Sequence, residues 1–304
     1  MTINLQYVIT KKKDVMRTLP ALYLLPLIAS SMAVQAHETT ELNLCTGSTQ
    51  GTYYAVGDIL ARYSPKTISI NVIETKGSRE NMSALHKGKC DAAIVQADAY
   101  FAAADSKVLK VERTATLYNE YVHLACKRTA NIDSVGDLED NPKKYTVMIG
   151  KKGSGSSLTW RTFTLLDDDY AKVKTISAGG SGAIAKLIND KSASCLLYVG
   201  GLKSKYTRRL NQQGKDIKLV PVDDWDFNDK TDATGQPIYT FTKIPSDTYK
   251  KLQDGIFSAT KTLAVSAVLV TKQDWLIKND GAYDDLVNTV LDNQQRIDQL
   301  TKPK

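Results

Sequence analysis

The chain has 304 residues, of which 42% are hydrophobic and 24% are charged, and its formal net charge is +7 at pH 7. This positive charge is mild and scattered, which argues against a nucleic-acid-binding protein. Three histidines and four cysteines without a CxxC pair argue against a zinc site, and the sequence predicts neither a metal nor a cofactor. The densest basic cluster, residues 203–210, is interpreted as the solvated face of a helix.

The first 36 residues have the pattern of a secretory signal peptide. Basic residues between 11 and 17 precede an apolar segment at 18–34, and small residues stand before His37. We therefore expect cleavage after Ala36 and export to the periplasm. A retained membrane anchor is the alternative, but prolines interrupt the apolar segment and it is short for a bilayer.

The chain that follows alternates between strand and helix patterns. The first unit is predicted to contain strands at 41–47, 67–75 and 90–96, with helices at 54–64 and 77–89 and a short helix after residue 98. The second unit is predicted to contain strands at 145–150, 172–177, 194–199 and 217–222, with helices at 158–168, 183–191 and 203–214. Strands that alternate with helices indicate parallel pairing, so both units are of the α/β class.

Two long apolar strands, at 117–129 and 262–272, bracket the second unit. A short helix at 131–140 follows the first of them, and a polar helix at 281–300 follows the second. This arrangement predicts paired crossovers between two domains, with the last helix returning to the first domain. The predicted first lobe is 37–125 with 261–304, and the second lobe is 126–260.

The cysteines each stand in or beside an apolar run. A buried thiol behaves as a small hydrophobe, whereas an exported protein can also form disulfides. Three connectivities are possible for two bonds, and the runs favour buried thiols or a single bond. The four positions are Cys45, Cys90, Cys126 and Cys195.

Known catalytic motifs do not fit the glycine-rich loops. GSTQGTYY (47–54) and GSGSSLTW (153–160) lack the lysine of a phosphate-binding P-loop, and GSGSSL lacks the third glycine of a dinucleotide fingerprint. No GxSxG pentad occurs, and the acidic run 167–169 is interpreted as a solvated turn. His123 lies in a predicted strand and is interpreted as structural. Without a nucleophile and a base, the sequence predicts a protein that is not an enzyme.

The same loops carry many hydrogen-bond donors at helix starts. Free N–H groups at a helix N-terminus favour a carboxylate or another anion. Side-chain amides and Asp98 can orient an ammonium group, and two tyrosines can enclose an aliphatic portion. These features suit a zwitterionic metabolite better than a sugar. The predicted ligand-binding residues are Ser48, Thr49, Gly51, Tyr53, Tyr54, Gly77, Ser78, Asn81, Gln96, Asp98, Gly153, Ser154, Gly155, Ser156 and Ser157.

An ordered set of motifs resembles one known family. TGSTQGTYYAVGDILARY (46–63), ETKGSRENMSALHKGKCDAAIVQAD (74–98), IGKKGSGSS (149–157) and LYVGG (197–201) are similar to the TAXI family. These are solute receptors of tripartite ATP-independent periplasmic (TRAP) transporters. The resemblance covers nearly all of residues 41–275.

The resemblance implies a type II periplasmic-binding-protein fold, with two α/β lobes, a two-strand hinge and a cleft that closes on its ligand. It implies a receptor, expected as a monomer, that delivers glutamate, glutamine or a related organic acid to TRAP membrane subunits. Arg79 departs from the family pattern, since an apolar residue is common there. In the cleft it would favour an acidic ligand side chain, and on the helix surface it would have no such effect. A secreted interaction protein that reuses the scaffold is the alternative function.

Overall fold

The computed structural model describes residues 39–104, 110–202, 204–229, 231, 235, 237–254 and 259–301. The predicted signal peptide and its cleavage after Ala36 lie outside these residues. Within the described part of the chain, no helix has the length and apolar character that crossing a membrane requires.

Strands and helices alternate along most of the chain. The strands are β1 (Thr40–Cys45), β2 (Ile68–Ile73), β3 (Ala92–Gln96), β4 (Val111–Lys127), β5 (Thr146–Met148), β6 (Lys174–Ile176), β7 (Cys195–Gly200), β8 (Ile217–Val220), β9 (Thr240–Ile244) and β10 (Thr260–Lys272). The helices are α1 (Thr52–Tyr63), α2 (Ser78–His86), α3 (Ala97–Ala104), α4 (Gly136–Asp140), α5 (Gly155–Leu166), α6 (Ser181–Asn189), α7 (Lys205–Gln212), α8 (Gln273–Lys278), α9 (Asp280–Asp292) and α10 (Gln294–Thr301).

The described strands form one mixed sheet in the order β2-β1-β3-β10-β4-β7-β5-β6, with β8 beside β4 and β9 beside β10. The pairs of β1 with β2 and β3, and of β5 with β6 and β7, are parallel, as the alternation of strands with helices predicts. We call β2, β1 and β3 the first half-sheet, and β7, β5 and β6 the second half-sheet.

The long strands β4 and β10 lie between the half-sheets and pair antiparallel with each other. The C-terminal part of β10 pairs with β3, whereas the C-terminal part of β4 pairs with β7. The two predicted long apolar strands are therefore confirmed, and they are the strands that join one half-sheet to the other.

The C-terminal helices pack on the first half-sheet. Leu286 and Val290 of α9 and Ile297 of α10 share a buried cluster with Leu42 and Leu44 of β1. This confirms the predicted return of the C-terminal segment.

The segment 281–300 was predicted as one helix, and the structure divides it into two. Asn293 is buried, its backbone N–H donates to the Val290 carbonyl and its side chain donates to the Thr289 carbonyl, which ends α9. Strand β9 and helix α8 were not predicted. Strand β9 has five residues and pairs with residues 260–264 of β10, and a sequence pattern does not reveal such a partner.

All four cysteines are paired in the structure, as Cys45–Cys90 and Cys126–Cys195. The expectation of buried thiols or a single bond is therefore wrong. Cys126 and Cys195 are direct neighbours in the β4–β7 ladder, with Cα atoms 4.0 Å apart. Strand register brings them together, and register is a tertiary property that apolar flanking residues do not encode.

Candidate functional site

The candidate site is built by loops that leave the carboxyl ends of parallel strands. The loop after β1 leads to α1, the loop after β2 leads to α2, and α3 follows β3 directly. In the second half-sheet, the loop after β5 leads to α5. Within each half-sheet the parallel strands end at one edge. The carboxyl ends of β3 and β7 both lie beside the middle of the β4–β10 pair, because β3 pairs with the C-terminal part of β10 and β7 with the C-terminal part of β4. The helix starts of the two half-sheets therefore meet there, outside the carboxyl ends of the strands, where open α/β sheets bind their ligands.

Glycines allow the starts of α2 and α5 to approach each other. Gly77 has φ +112°, and a β carbon on it would lie 3.8 Å from the backbone nitrogen of Gly155. A β carbon on Gly155 would lie 1.5 Å from Oε1 of Gln96, so a larger residue at this position would force the Gln96 side chain to move. The backbone of the second half-sheet therefore meets the side chains of the first.

A chain of hydrogen bonds begins in the first half of the molecule. The Tyr53 hydroxyl donates to Oε2 of Glu120 at 2.8 Å and lies 3.3 Å from Oγ of Ser78. Ser78 Oγ in turn accepts the backbone N–H of Gln96 at 3.0 Å. Helices α1 and α2 and strands β3 and β4 are thus held together by polar groups that are buried from solvent.

The same chain continues into the second half. Nε2 of Gln96 donates to Oγ1 of Thr159 on α5 at 3.2 Å, and Thr159 donates to Oδ2 of Asp98 at 2.8 Å. The Tyr239 hydroxyl donates to the same Asp98 oxygen at 2.7 Å. The whole set, here called the central polar chain, is Tyr53, Ser78, Gln96, Asp98, Glu120, Thr159 and Tyr239.

Two carboxyl groups are buried in the central polar chain. Asp98 is 0% exposed and Glu120 is 6% exposed, while no lysine or arginine in the described part of the chain is buried. Burial raises the pKa of Glu120 to about 7, with a smaller contribution from the charge of Asp98, although the Tyr53 hydroxyl opposes the shift. Burial likewise raises the pKa of Asp98 to about 6 against the hydrogen bonds from Tyr239 and Thr159.

Two polar atoms at this place have no hydrogen-bond partner. They are Oδ1 of Asp98 and the hydroxyl of Tyr118. The Asp98 and Ala99 backbone amides lie close enough to Asp98 to lower its pKa slightly, and the Thr52 side chain lies near Tyr118, but none of them reaches hydrogen-bond geometry. Buried polar atoms are normally paired, so the site has unused capacity to bind a polar ligand.

Tyrosines surround Glu120. The Tyr53 and Tyr118 rings contact each other edge to face, with centroids 6.5 Å apart. Tyr198 of β7 is close enough for the charge of Glu120 to raise the pKa of its hydroxyl to about 12, although burial contributes more. The Tyr198 ring also packs on Tyr206, at 4.4 Å between centroids. The tyrosines near the carboxyl group of Glu120 therefore come from α1, β4 and β7.

The predicted residues of the loop after β1 lie on an exposed rim before α1. Ser48, Thr49 and Gly51 are exposed, and the Thr49 backbone N–H donates to Glu74. Gln50 accepts a hydrogen bond from Lys205 Nζ at 2.9 Å, so this rim also contacts the second half of the molecule.

Several predicted residues are held by the protein itself. Asn81 donates to the carbonyls of Thr46 and Ile94 and accepts from Thr75, and these bonds tie three strand ends together. In the loop after β5, Ser154 accepts the Ser157 N–H as the cap of α5, and Ser156 accepts the Val199 N–H of β7. The half-buried residues Tyr54 and Gly153 complete the predicted set.

Sequence reasoning missed Glu120, Tyr118, Tyr198, Thr159 and Tyr239. A signal existed for Glu120, because it alternates with Tyr118 and Val122 on the buried face of β4, where a carboxylate is out of place. The other residues join the site through the pairing of strands and helices that are far apart in sequence. For Arg79 the sequence left open a place in the cleft or on the helix surface, and its side chain is exposed on α2.

His123 is buried in β4, as the sequence interpretation expected. Its Nε2 is 3.0 Å from the Tyr249 hydroxyl, which donates to the Leu202 carbonyl at 2.7 Å. Tyr249 therefore accepts from a protonated Nε2, and burial lowers the pKa of His123 to about 4. The imidazole is neutral and takes part in packing.

A second acidic group lies on α4 and the segments after α5 and β8. The carboxylates of Glu139, Asp167 and Asp224, here called the acidic trio, lie within 4.8 Å of one another and are half-buried. Their spacing would allow a cation to bind, and Tyr170 donates to Asp224 at 2.7 Å.

Comparisons with known proteins agree with this architecture. The model of the NMT1-like family matches residues 44–303. Among solved structures, the chain is similar to AbpA of Streptococcus pneumoniae, the substrate-binding protein of an amino-acid ABC transporter, bound to L-arginine. The two are 12% identical, with a TM-score of 0.51 over 86% of this chain and 92% of that one.

Two ligand-binding domains are similar to the same extent. The AvGluR1 domain with glutamate is 13% identical, with a TM-score of 0.53 over 86% of this chain and 93% of that one. The GluR0 core with L-glutamate is 11% identical, with a TM-score of 0.51 over 85% and 94%. At such identities the comparison shows the fold alone, and that fold is the predicted α/β type II periplasmic-binding-protein fold.

Proposed function

The chain belongs to the NMT1-like family, and we propose that it is an extracytoplasmic receptor that binds a small metabolite and passes it to a transporter. A receptor rather than an enzyme is supported by the lack of a nucleophile–base pair in the sequence and by the similarity to AbpA, which is the substrate-binding protein of an amino-acid transporter. The observation that carries the proposal is the central polar chain, which is buried, contains an unpaired carboxylate oxygen and takes residues from both halves of the molecule.

In this proposal the two halves act as lobes. Residues 37–125 with 261–304 form one lobe, residues 126–260 form the other, and β4 and β10 form the hinge. A ligand that contacts both lobes binds the closed state more tightly than the open state, so binding favours closure. The contacts of Gln96 with Thr159 and of Gln50 with Lys205 are then made only on closure.

The ligand class and the transporter are proposed on the sequence resemblance. TAXI-like motifs support delivery to the membrane subunits of a TRAP transporter, with a glutamate- or glutamine-like metabolite as the solute. Solved neighbours carry L-arginine and L-glutamate, so the fold accommodates molecules of this size. Export by the signal peptide would place the receptor in the periplasm.

Calorimetry with a panel of amino acids and dicarboxylates tests the receptor function. We expect at least one member to bind, and Tyr53→Phe to weaken its binding about tenfold through loss of a buried hydrogen bond. Arg79→Ala, on the exposed face of α2, is the matched control and should bind as the wild type does. If no panel member binds and native mass spectrometry finds no co-purified small molecule, the receptor function is refuted.

A further inference from the structure

We propose that the site selects a ligand with an ammonium or guanidinium group, which binds between Glu120, Asp98 and the tyrosines around Glu120. The inference rests on the proposed receptor function and names the class of ligand that its site accepts. A zwitterion or a cation would bind, whereas a dicarboxylate without an amine would not.

The buried charged groups of the site are acidic and have no basic counterpart among the described residues. Glu120 and Asp98 are the buried acidic side chains of the described residues, and no lysine or arginine there is buried beside them. An ionised carboxylate in an apolar interior is costly unless it is paired. A cationic group on the ligand would supply the missing partner, whereas a second carboxylate on the ligand would add to the repulsion.

Two buried polar atoms of the site have no hydrogen-bond partner. Oδ1 of Asp98 can only accept from a donor when it is ionised, and it has no partner. The Tyr118 hydroxyl is also unpartnered, although Tyr118 is only 6% exposed. An ammonium group brings three donors and a guanidinium brings five, so either matches a site of unused acceptors.

Tyrosine side chains lie close to Glu120. Tyr53 of α1 donates to Glu120, and Tyr118 of β4, Tyr198 of β7 and Asp98 of α3 lie near enough to interact with its charge. Aromatic faces attract cations, and the attraction is stronger when water is excluded. Any anionic end of the ligand would lie at the helix starts of α2 and α5, whose N–H groups favour a carboxylate.

Ligand binding should then change the number of protons bound to the protein. Because the pKa of Glu120 is about 7 without ligand, part of the population is protonated at neutral pH, and a bound cation lowers that pKa. Binding of a cation therefore releases protons and weakens at low pH, by about tenfold between pH 8 and pH 6. Binding of an amine-free dicarboxylate would instead take up protons.

The test uses probes that differ in one group. Glutarate lacks the amine of L-glutamate, L-glutamine lacks its side-chain charge, and L-lysine adds a cation. Titration calorimetry of the wild-type protein in two buffers of different ionisation enthalpy counts the protons exchanged. We expect the amine-bearing probes to bind with proton release, glutarate to bind at least tenfold more weakly than L-glutamate, and L-glutamine to bind at least as tightly as L-glutamate.

Two variants test whether Glu120 causes the pH dependence of binding. Glu120→Gln should reduce the pH dependence of binding to the smaller part that Asp98 contributes, and Glu112→Gln is the matched control, since Glu112 is an exposed glutamate on the same strand. The wild-type proton count does not depend on how well any variant folds. If glutarate binds as tightly as L-glutamate with proton uptake, the receptor function stands and the selection of a cation is refuted. If no probe binds and nothing co-purifies, both proposals are refuted.

Discussion

The protein has two groups of carboxyl side chains that differ in their surroundings. Asp98 and Glu120 are buried in the central polar chain, where hydroxyl groups donate to them and no lysine or arginine of the described residues is buried with them. The acidic trio is half-buried, so water reaches its oxygens. Burial raises the pKa of Glu139 in the trio as well, with repulsion from Asp167 and Asp224 adding to the shift.

A raised carboxyl pKa reflects a different cost to folding in the acidic trio than in the central polar chain. In the trio, solvent can screen the repulsion between like charges, and the cost to folding is small. In the central polar chain, solvent is excluded, so the cost persists until a ligand supplies the opposite charge. Strongly perturbed pKa values of this kind cluster at functional sites.

The largest expected effect is on stability at high pH. A carboxyl group whose pKa is raised on folding binds more protons in the native state, so its contribution to stability falls as the pH rises from about 4 to about 7. The double variant Asp98→Asn with Glu120→Gln should therefore be more stable than the wild type at pH 8, on the order of 3 kcal/mol, and similar to it at pH 4.

Urea denaturation of both proteins at the two pH values measures this difference. His123, whose low pKa acts in the opposite direction, is present in both proteins and cancels in the comparison. The exposed Glu112→Gln variant should match the wild type at both pH values. An equal difference at pH 4 and pH 8 would show that the two carboxyl groups do not carry the cost assigned to them.

A smaller effect on stability is expected when the tyrosine hydroxyl that donates to each group of carboxyl side chains is removed. Tyr239 and Tyr170 are both fully buried, and each donates to one carboxylate, Asp98 and Asp224 respectively. Tyr239→Phe should lower the free energy of unfolding by about 1–3 kcal/mol, because Asp98 loses one of its two donors and water cannot replace it. Tyr170→Phe should cost less, because water can reach Asp224. Thermal unfolding at pH 7 compares the two, and a larger loss for Tyr170→Phe would contradict the distinction.

The smallest effect is expected in the acidic trio itself. Glu139→Gln removes a group whose pKa is raised, so it should stabilise the protein at pH 9 and have no effect at pH 4. The gain should not exceed about 0.5 kcal/mol, because the trio is half-exposed and screened by solvent. Chemical denaturation at the two pH values checks the sign, and a gain as large as that of the buried double variant would remove the contrast between the groups.

Local pattern was enough to predict most of the fold. The alternation of apolar strands with amphipathic helices indicates the parallel pairs around β1 and β5, because a parallel pair needs a crossover helix. The lengths of the apolar runs at 117–129 and 262–272 indicate the two central strands. Glycine and serine at the helix starts point to the loops, because few other residues allow a backbone to approach so closely.

Local pattern could not predict the partners that meet across the fold. Whether Cys126 pairs with Cys195 depends on the register of β4 against β7, and register is decided by packing over the whole sheet. The same holds for Glu120, whose neighbours Tyr53 and Tyr198 come from helices and strands far apart in sequence. The sequence alone determined most of the elements, their order and the donor-rich loops, but not β9, α8 or the division of the C-terminal helix. Only the tertiary structure decided that two carboxyl groups are buried together while no described lysine or arginine is, because burial is a property of the assembled chain.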